Sequence, residues 1–409
     1  MAATTSADTQ TNKQKVLIVG GGFAGVKVAL ELSERPELAV TLLSEHIDFR
    51  YYPTFYHTAT GGLKAQSSIP MSNILDKNVN FVLGTAKTLD REKKRIIASD
   101  GRKYSYDTLV LALGTVTNFF GIKGLSEFSY SIKSLEEIAR LKKHLHQQLT
   151  DDRKPDLNYV IVGAGPTGIE LAGSLPSYLR TVMASHGIKH RAIHIDLVEA
   201  APRLLPRSNP AISRAVKRRL RRLGIRLLLK QAVQGQDADS LIVNGKPIRS
   251  HTVIWTAGVT NHPFLKENNI PLNERGKVIV DSYLQAEPNI YVLGDNAATQ
   301  YSGLAQTALN DAVQLSNNII RTLEGKPRKM YKPAMPITVI PVGAGWAAVE
   351  WGKLHFAGAL GWLLRSAADW IGFHDYQNWW KASEQWMNEF GTQEDCPTCS
   401  VATMKSPEY

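Results

Sequence analysis

Gly20-Gly21-Gly22-Phe23-Ala24-Gly25 and Gly163-Ala164-Gly165-Pro166-Thr167-Gly168 repeat one glycine spacing, 143 residues apart. Each follows an apolar run, Lys15-Val16-Leu17-Ile18-Val19 in the first case and Tyr159-Val160-Ile161-Val162 in the second. Glycine at these places answers a geometric need. Gly20 and Gly163 permit a tight turn out of a strand. Gly22 and Gly165 let the backbone approach a pyrophosphate resting at a helix N-terminus, and Gly25 and Gly168 let helix and strand pack closely. One such loop is a common structural turn. Two, each between a buried strand and a helix, predict two dinucleotide sites in one polypeptide, with electrons passing between the bound groups.

Carboxylates stand where those sites need them. Glu45 follows Gly25 by twenty residues, at the end of the second strand of the first unit, where an acid accepts from ribose hydroxyls; its neighbour Ser44 is the alternative at that register. Glu199 ends the corresponding strand of the second unit. A carboxylate there accepts from both ribose hydroxyls and repels a 2′-phosphate, which predicts NADH over NADPH, while Arg203 nearby could meet a phosphate. Asp295, after Gly294 at the end of an apolar strand, points into a ligand crevice or caps the next helix.

The elements that must position these residues follow from periodicity. Strand, glycine loop and helix over 15–33 lead to the strand Leu38–Leu43, a β-α-β unit. Short strands are expected at 81–83 and 95–98, a buried one over 107–113, and a charged helix over 133–149. The pattern then restarts with strands at 158–162, 193–198, 225–229 and 252–255 and a basic helix over 211–223. A strand at 290–293 and a helix around 304–322 return to the first unit. The predicted fold is α/β: two Rossmann-like dinucleotide-binding domains, the second inserted in the first. The first unit covers 15–150 and 275–333 and the inserted unit 151–274, with 151–155 as a linker.

Composition bounds the rest. The 409 residues suffice for two or three cored domains, and a net charge of +11 favours anionic partners, phosphorylated cofactors and anionic lipid among them. The basic run Arg218-Arg219-Leu220-Arg221-Arg222 lacks interleaved aromatics and reads as a solvated helix face, so no nucleic acid is expected. The two cysteines are Cys396 and Cys399, which rules out a disulfide framework in the core and fits a reducing compartment. Their lone C-x-x-C supplies half of a tetrahedral zinc site, so no metal site is predicted and 396–409 reads as a tail. Residues 1–14 read as a flexible leader without a secretory signal.

These motifs resemble those of the two-dinucleotide flavoprotein reductases over about residues 14–325, and within them the type II NADH:quinone oxidoreductases. The matching stretches are Gly163–Glu170, Val198-Glu199-Ala200, Thr256-Ala257-Gly258-Val259, Gly294-Asp295 and Ala305-Gln306-Thr307-Ala308. The resemblance implies FAD on the first loop and NADH on the second. It implies FAD contacts from Gly20, Gly22, Phe23, Ala24, Gly25, Glu45, Ala86, Ala112, Gly114, Asp295, Ala305 and Gln306. Gly163, Gly165, Pro166, Thr167, Gly168, Glu199, Ala257 and Gly258 would serve NADH. Glu170 would lie near the reacting rings on a proton path to quinone, and Gln306 would meet the quinone, ubiquinone or menaquinone. The family usually has a second Gln four residues on; this chain has Asn310 there. Disulfide reductases and sulfide:quinone oxidoreductases of this fold need mid-chain cysteines, which the chain lacks.

Residues 334–395 differ in character, and the stretch from 334 to the end holds seven of the eight tryptophans. Phe356, Leu360, Leu363, Leu364, Ala367, Trp370 and Ile371 recur at helical spacing, with Trp362, Arg365 and Asp369 on the other side. The uncharged stretch is far too short to span a bilayer. An apolar face with interfacial tryptophan and flanking cations suits a helix lying in a membrane surface, as the resemblance also implies. A helix packed on the protein's own core, or on a second copy in a homodimer, has the same pattern. The expected protein is a peripheral, non-pumping NADH:quinone oxidoreductase at the cytoplasmic face of the cell membrane. An NADH-dependent reductase of a small electron-transfer protein and a slow redox-sensing flavoprotein are the alternatives.

Overall fold

The computed structural model describes residues 13–150, 158–189 and 191–387. The leader up to residue 12, the linker at 151–155 and the cysteine tail lie outside these residues. The chain divides into two compact units. The first comprises residues 13–49, 70–115 and 261–334, and the second residues 50–69, 116–260 and the C-terminal part from 335.

The first unit is built on a six-stranded sheet in the order Gln285–Glu287, Ile290–Val292, Thr108–Leu111, Gln14–Val19, Leu38–Ser44, Val79–Leu83. All neighbours are parallel except the antiparallel edge strand Gln285–Glu287. The near-continuous apolar runs Val16–Val19 and Thr108–Leu111 suit strands covered on both faces. The helices Phe23–Leu32 and Ala305–Leu323 pack on each other. The segment predicted as a strand at 95–98 belongs to a separate three-stranded antiparallel sheet with Ala86–Asp90 and Lys103–Ser105.

The second unit carries a four-stranded parallel sheet in the order Arg226–Leu229, His194–Glu199, Asn158–Val162, Thr252–Trp255. Its main core joins Tyr159 and Ile161 to Leu171, Leu175 and Leu179 of the Pro166–Ser185 helix. Leu141, Leu145 and Leu149 of the charged helix Leu135–Thr150 join the same cluster. The helix buries these leucines at i, i+4, i+8 spacing and turns its charges out.

The C-terminal region opens with a sheet that periodicity did not reveal: Thr338–Pro341, Ala347–Trp351 and Leu354–Gly358, all antiparallel. Phe356 therefore lies on a strand opposite Val349, and the helix begins only at Ala359. Gly358, at φ +127, makes the break. The Ala359–His374 helix and the shorter Trp379–Met387 helix follow. No described helix is long and apolar enough to cross a membrane.

Candidate functional site

Both glycine loops take the expected form, and the space around each glycine separates its roles. Gly20 and Gly163 sit at φ +112 and +105. A Cβ on Gly20 would fall 2.2 Å from the Ala112 carbonyl oxygen, and one on Gly163 would fall 2.6 Å from Ala257 Cα. Cβ atoms on Gly25 and Gly168 would each fall 1.9 Å from the carbonyl oxygen of the loop's first glycine. These four glycines serve packing within the protein. Gly22 and Gly165 differ. Their backbones are extended, a conformation open to any residue, and no protein atom lies within 4 Å of where their Cβ would be. Each stands at the N-cap of a helix, Phe23–Leu32 or Pro166–Ser185, with no acidic residue in its first turn. The N–H groups of a helix start, the positive end of the helix dipole and the empty space beside the N-cap glycine fit a pyrophosphate in both units.

The strand-end acids occupy different registers. Gly20 donates its N–H to Leu43 O at 2.8 Å, and Gly163 donates to Val198 O at 2.8 Å. Ser44 therefore stands where Glu199 stands in the second unit, and Glu45 comes one residue later. The Ser44 hydroxyl bonds to the His46 backbone. Glu45 is exposed, with Oε1 3.7 Å from His262 Nε2. Glu199 accepts the Ala164 N–H at 2.7 Å on Oε2 and the Ala201 N–H at 2.8 Å on Oε1. An ionised carboxylate has about four acceptor sites, so Glu199 keeps sites for ribose hydroxyls. Arg203 turns its guanidinium onto the Ser208 and Pro206 carbonyls of its own loop.

Asp295 is half-buried, 3.5 Å from the Thr115 hydroxyl. Lys277 donates to its backbone carbonyl at 2.8 Å. Gly294 lies against Ala24 and Ala308, which brings the first loop, Asp295 and the start of the Ala305–Leu323 helix together. Phe23 and Ala24 are buried at the helix start, and Phe23 meets Phe49 edge-on at 5.2 Å. Ala112 is buried beside Gly20, whereas Ala86 is buried within the small antiparallel sheet. Ala305 opens its helix, Gln306 is exposed on the first turn, and Asn310 donates to Lys332 O at 3.3 Å. Pro166 and Thr167 are exposed at the start of the second loop's helix. In the same unit Ala257 backs Gly163, and Gly258 presses on the Phe120 ring.

Two buried residues of the first unit escaped the sequence reading. Asn296 holds the peptide of Gly114, and Asp311 accepts the Gly294 N–H at 2.9 Å. Burial pushes Asp311 up to about 6 against the opposing influence of the Tyr331 phenol. The adjacency of Asn296 to Asp295 was the available signal for the first; nothing in the sequence marks the second.

Glu170 lies deep in the second unit while keeping a partly accessible surface. Burial pushes it up to about 7, with Arg365 opposing and Asp369 reinforcing the shift. A carboxyl poised near neutrality suits proton transfer. Arg365 and Asp369 belong to the Ala359–His374 helix, with side chains 12% and 4% exposed. Leu360 (62% exposed), Leu363, Trp370 and Ile371 (57%) face outward. The polar side of this helix thus faces the protein and the apolar side faces out.

The sequence profile of the pyridine nucleotide-disulphide oxidoreductases matches residues 14–312, and the chain belongs to that family. It is an oxidoreductase, and the two loops fit the FAD and pyridine nucleotide of that family. A type II NADH:quinone oxidoreductase of Staphylococcus epidermidis is 28% identical over 361 residues, 81% of this chain and 88% of the relative. One from Mycobacterium tuberculosis is 26% identical over 398 residues, 88% and 84% of the two chains. Among solved structures, NDH2 from Plasmodium falciparum in complex with NADH superposes with a TM-score of 0.81 at 18% identity, covering 92% of this chain and 97% of that one. The sulfide:quinone oxidoreductase of Aquifex aeolicus gives 0.77 at 21% identity, covering 91% and 92%.

Proposed function

We propose that the chain transfers two electrons from NADH to a membrane quinone without ion translocation, converting NADH, a proton and quinone into NAD⁺ and quinol. FAD, when bound, supplies the hydride acceptor and the two-electron donor that link the two half-reactions. The first loop holds the FAD pyrophosphate over Gly22, and Asp295 orients the flavin's ribityl chain. The second loop holds NADH over Gly165, with Glu199 accepting from its ribose. Gln306 and Asn310 present amides to the quinone, and Glu170 holds the proton that quinone reduction consumes.

The domain assignment goes with this reading: an FAD domain over 15–150 and 275–333, an NADH domain over 151–274 and a membrane-surface region over 334–395, with 50–69 and 116–150 packed in the compact unit that carries the NADH loop. The outward apolar face of the Ala359–His374 helix and the stacked, exposed Trp379 and Trp380 support seating on a lipid surface; the cytoplasmic face of the cell membrane is part of the proposal.

The observation that carries the reading is the pair of open N-cap glycines, Gly22 and Gly165, each on its own parallel sheet. Two dinucleotides in one chain need a redox carrier and a nicotinamide. The described residues contain no cysteine, the two of the chain being Cys396 and Cys399, so none of them offers a thiolate for the dithiol chemistry of the wider family. Stopped-flow absorbance tests it. NADH bleaches the bound flavin, and a short-chain ubiquinone or menaquinone restores its colour within the turnover time. Colourless protein that takes up no FAD, or reduced protein indifferent to both quinones, refutes it.

A further inference from the structure

The inner face of the Ala359–His374 helix brings one cation and two acids together. Arg365 Nε stands 2.7 Å from Asp369 Oδ2, close enough for an ion pair though short of straight hydrogen-bond geometry, and Arg365 Nη2 donates to Pro53 O at 3.0 Å. Asp369 Oδ1 accepts the Tyr51 hydroxyl at 3.3 Å. Glu170 feels both members of the pair, with opposite sign. Burial works against the Arg365 charge, but Asp369, Tyr56, Glu170 and Tyr51 together more than offset it. Burial raises Asp369, opposed first by the Arg365 charge and then by the Tyr51 hydrogen bond and the close approach of Arg365.

Among the described residues, the titratable neighbours that act on this group include no second cation at neutral pH. From residues 50–69 come Tyr51, whose phenol burial raises, and Tyr56. His57 also faces the pair; burial lowers it, and its Nδ1 lies 2.9 Å from Gln66 Oε1. Asp375, at the end of the helix, acts on Tyr51. Two buried carboxyls therefore compete for Arg365, and Asp369 has it by contact. A buried ion pair contributes little net stability over an apolar pair of the same volume. Its retention beneath an outward apolar face calls for a different role.

We propose that Asp369 is a positioning residue: by taking Arg365 as its partner it denies Glu170 a counter-ion, and so keeps Glu170 a proton-holding group for the quinone. This rests on the reading of the protein as a quinone reductase. The same helix then carries lipid-facing side chains on one side and the charges that govern the buried acid on the other.

The pH profile of quinone reduction by the full-length FAD-loaded enzyme tests it. Wild-type kcat falls as pH rises through the Glu170 transition near 7, because the proton is lost. In Asp369→Asn, Arg365 is left to Glu170, and the descending limb moves at least one unit to lower pH. At pH 7.5 kcat then falls about ten-fold, with KM for NADH unchanged. Asp369→Glu restores the limb, and Arg365→Gln moves it to higher pH. The second readout needs no turnover. In the oxidised protein without substrates, the infrared carbonyl band that Glu170→Gln removes titrates at lower pH in Asp369→Asn and at higher pH in Arg365→Gln. A uniform loss of kcat with an unmoved band, in either variant, overturns the proposal. A wild-type protein that reduces no quinone overturns the functional reading instead, and the infrared titration still decides the pairing.

Discussion

Asn296 holds the Gly114 peptide at both ends: Oδ1 accepts the Gly114 N–H at 2.8 Å and Nδ2 donates to the Gly114 carbonyl at 2.7 Å. Gly114 ends the segment after Thr108–Leu111, and Asn296 follows Asp295, so one buried amide ties two strand ends of the first unit. Asn296→Ala leaves the part-buried N–H and carbonyl of Gly114 without their partner and costs about 1–3 kcal/mol. Asn296→Asp keeps the acceptor but sets two oxygens against each other at the carbonyl, so it is also destabilised. Calorimetry reads the lowered Tm, and the retention of FAD through gel filtration falls with it.

The open glycines separate folding from binding. Gly22→Ala and Gly165→Ala put a methyl where no protein atom stands within 4 Å. Each changes stability by less than about 1 kcal/mol, the scale of an N-cap substitution. Yet Gly22→Ala loses FAD affinity, and Gly165→Ala raises KM for NADH at least ten-fold with FAD retained. Gly25→Ala and Gly168→Ala drive a methyl into a backbone oxygen and lower folded yield. Equal loss of fold in all four variants would remove the reason for reading Gly22 and Gly165 as pyrophosphate seats.

Glu199 decides between the two nicotinamide cofactors. Its oxygens already bond the Ala164 and Ala201 N–H groups, and Arg203 is engaged with carbonyls of its own loop. A 2′-phosphate brought there meets a fixed carboxylate, and the Arg203 guanidinium is turned away onto the Ser208 and Pro206 carbonyls. The expected preference for NADH over NADPH in kcat/KM is at least a hundred-fold, and Glu199→Gln narrows it about ten-fold by removing the repulsion. Steady-state rates with the two nucleotides check it, and a wild-type preference for NADPH contradicts it.

Local rules made part of this site legible. The glycine spacing, the apolar strands and the place of Glu199 at a strand end each follow from what a β-turn-α unit demands within a few residues; the loops and strands form as expected, and Glu199 ends its strand. Glu45 shows where spacing alone stops: a count of twenty residues cannot separate Ser44 from Glu45, whereas the Gly20–Leu43 hydrogen bond does. The terminal helix shows a deeper limit. Periodicity finds the apolar stripe through Leu360, Leu363 and Ile371, but a stripe carries no sign, and only the tertiary structure shows that Arg365 and Asp369 face in. Phe356 shares the stripe's spacing by coincidence, because Gly358 ends a strand before the helix begins. Asn296 and Asp311 have partners set by contacts distant in sequence, which no local pattern encodes.

Glu170 makes stability depend on pH. Its carboxyl is raised from an unfolded value near 4.5 to about 7, so the unfolded chain binds fewer protons than the folded one between these values. The favourable contribution is complete below pH 4.5 and is lost as pH rises through 7. A shift of this size corresponds to at most about 3 kcal/mol. Glu170→Gln has no such transition. Its Tm relative to wild type therefore climbs between pH 4.5 and 7.5 and levels off above. A difference that is constant with pH contradicts the buried, proton-holding state.

The two faces of the Ala359–His374 helix predict opposite mutational profiles. Leu363 and Ile371 are each 57% exposed, so Leu363→Glu and Ile371→Glu should change stability by no more than about 0.5 kcal/mol. Both leave NADH oxidation with a soluble dye unchanged. Together they place two charges on the surface that would enter lipid, and co-sedimentation with vesicles of anionic phospholipid falls at least ten-fold. Arg365→Ala acts on the other side: it leaves Asp369 buried without its cation and costs about 3–5 kcal/mol. Vesicle binding by whatever folds is retained. If the outward substitutions instead unfold the protein while vesicle binding by the remainder persists, the helix seats against protein, and the lipid-facing assignment fails.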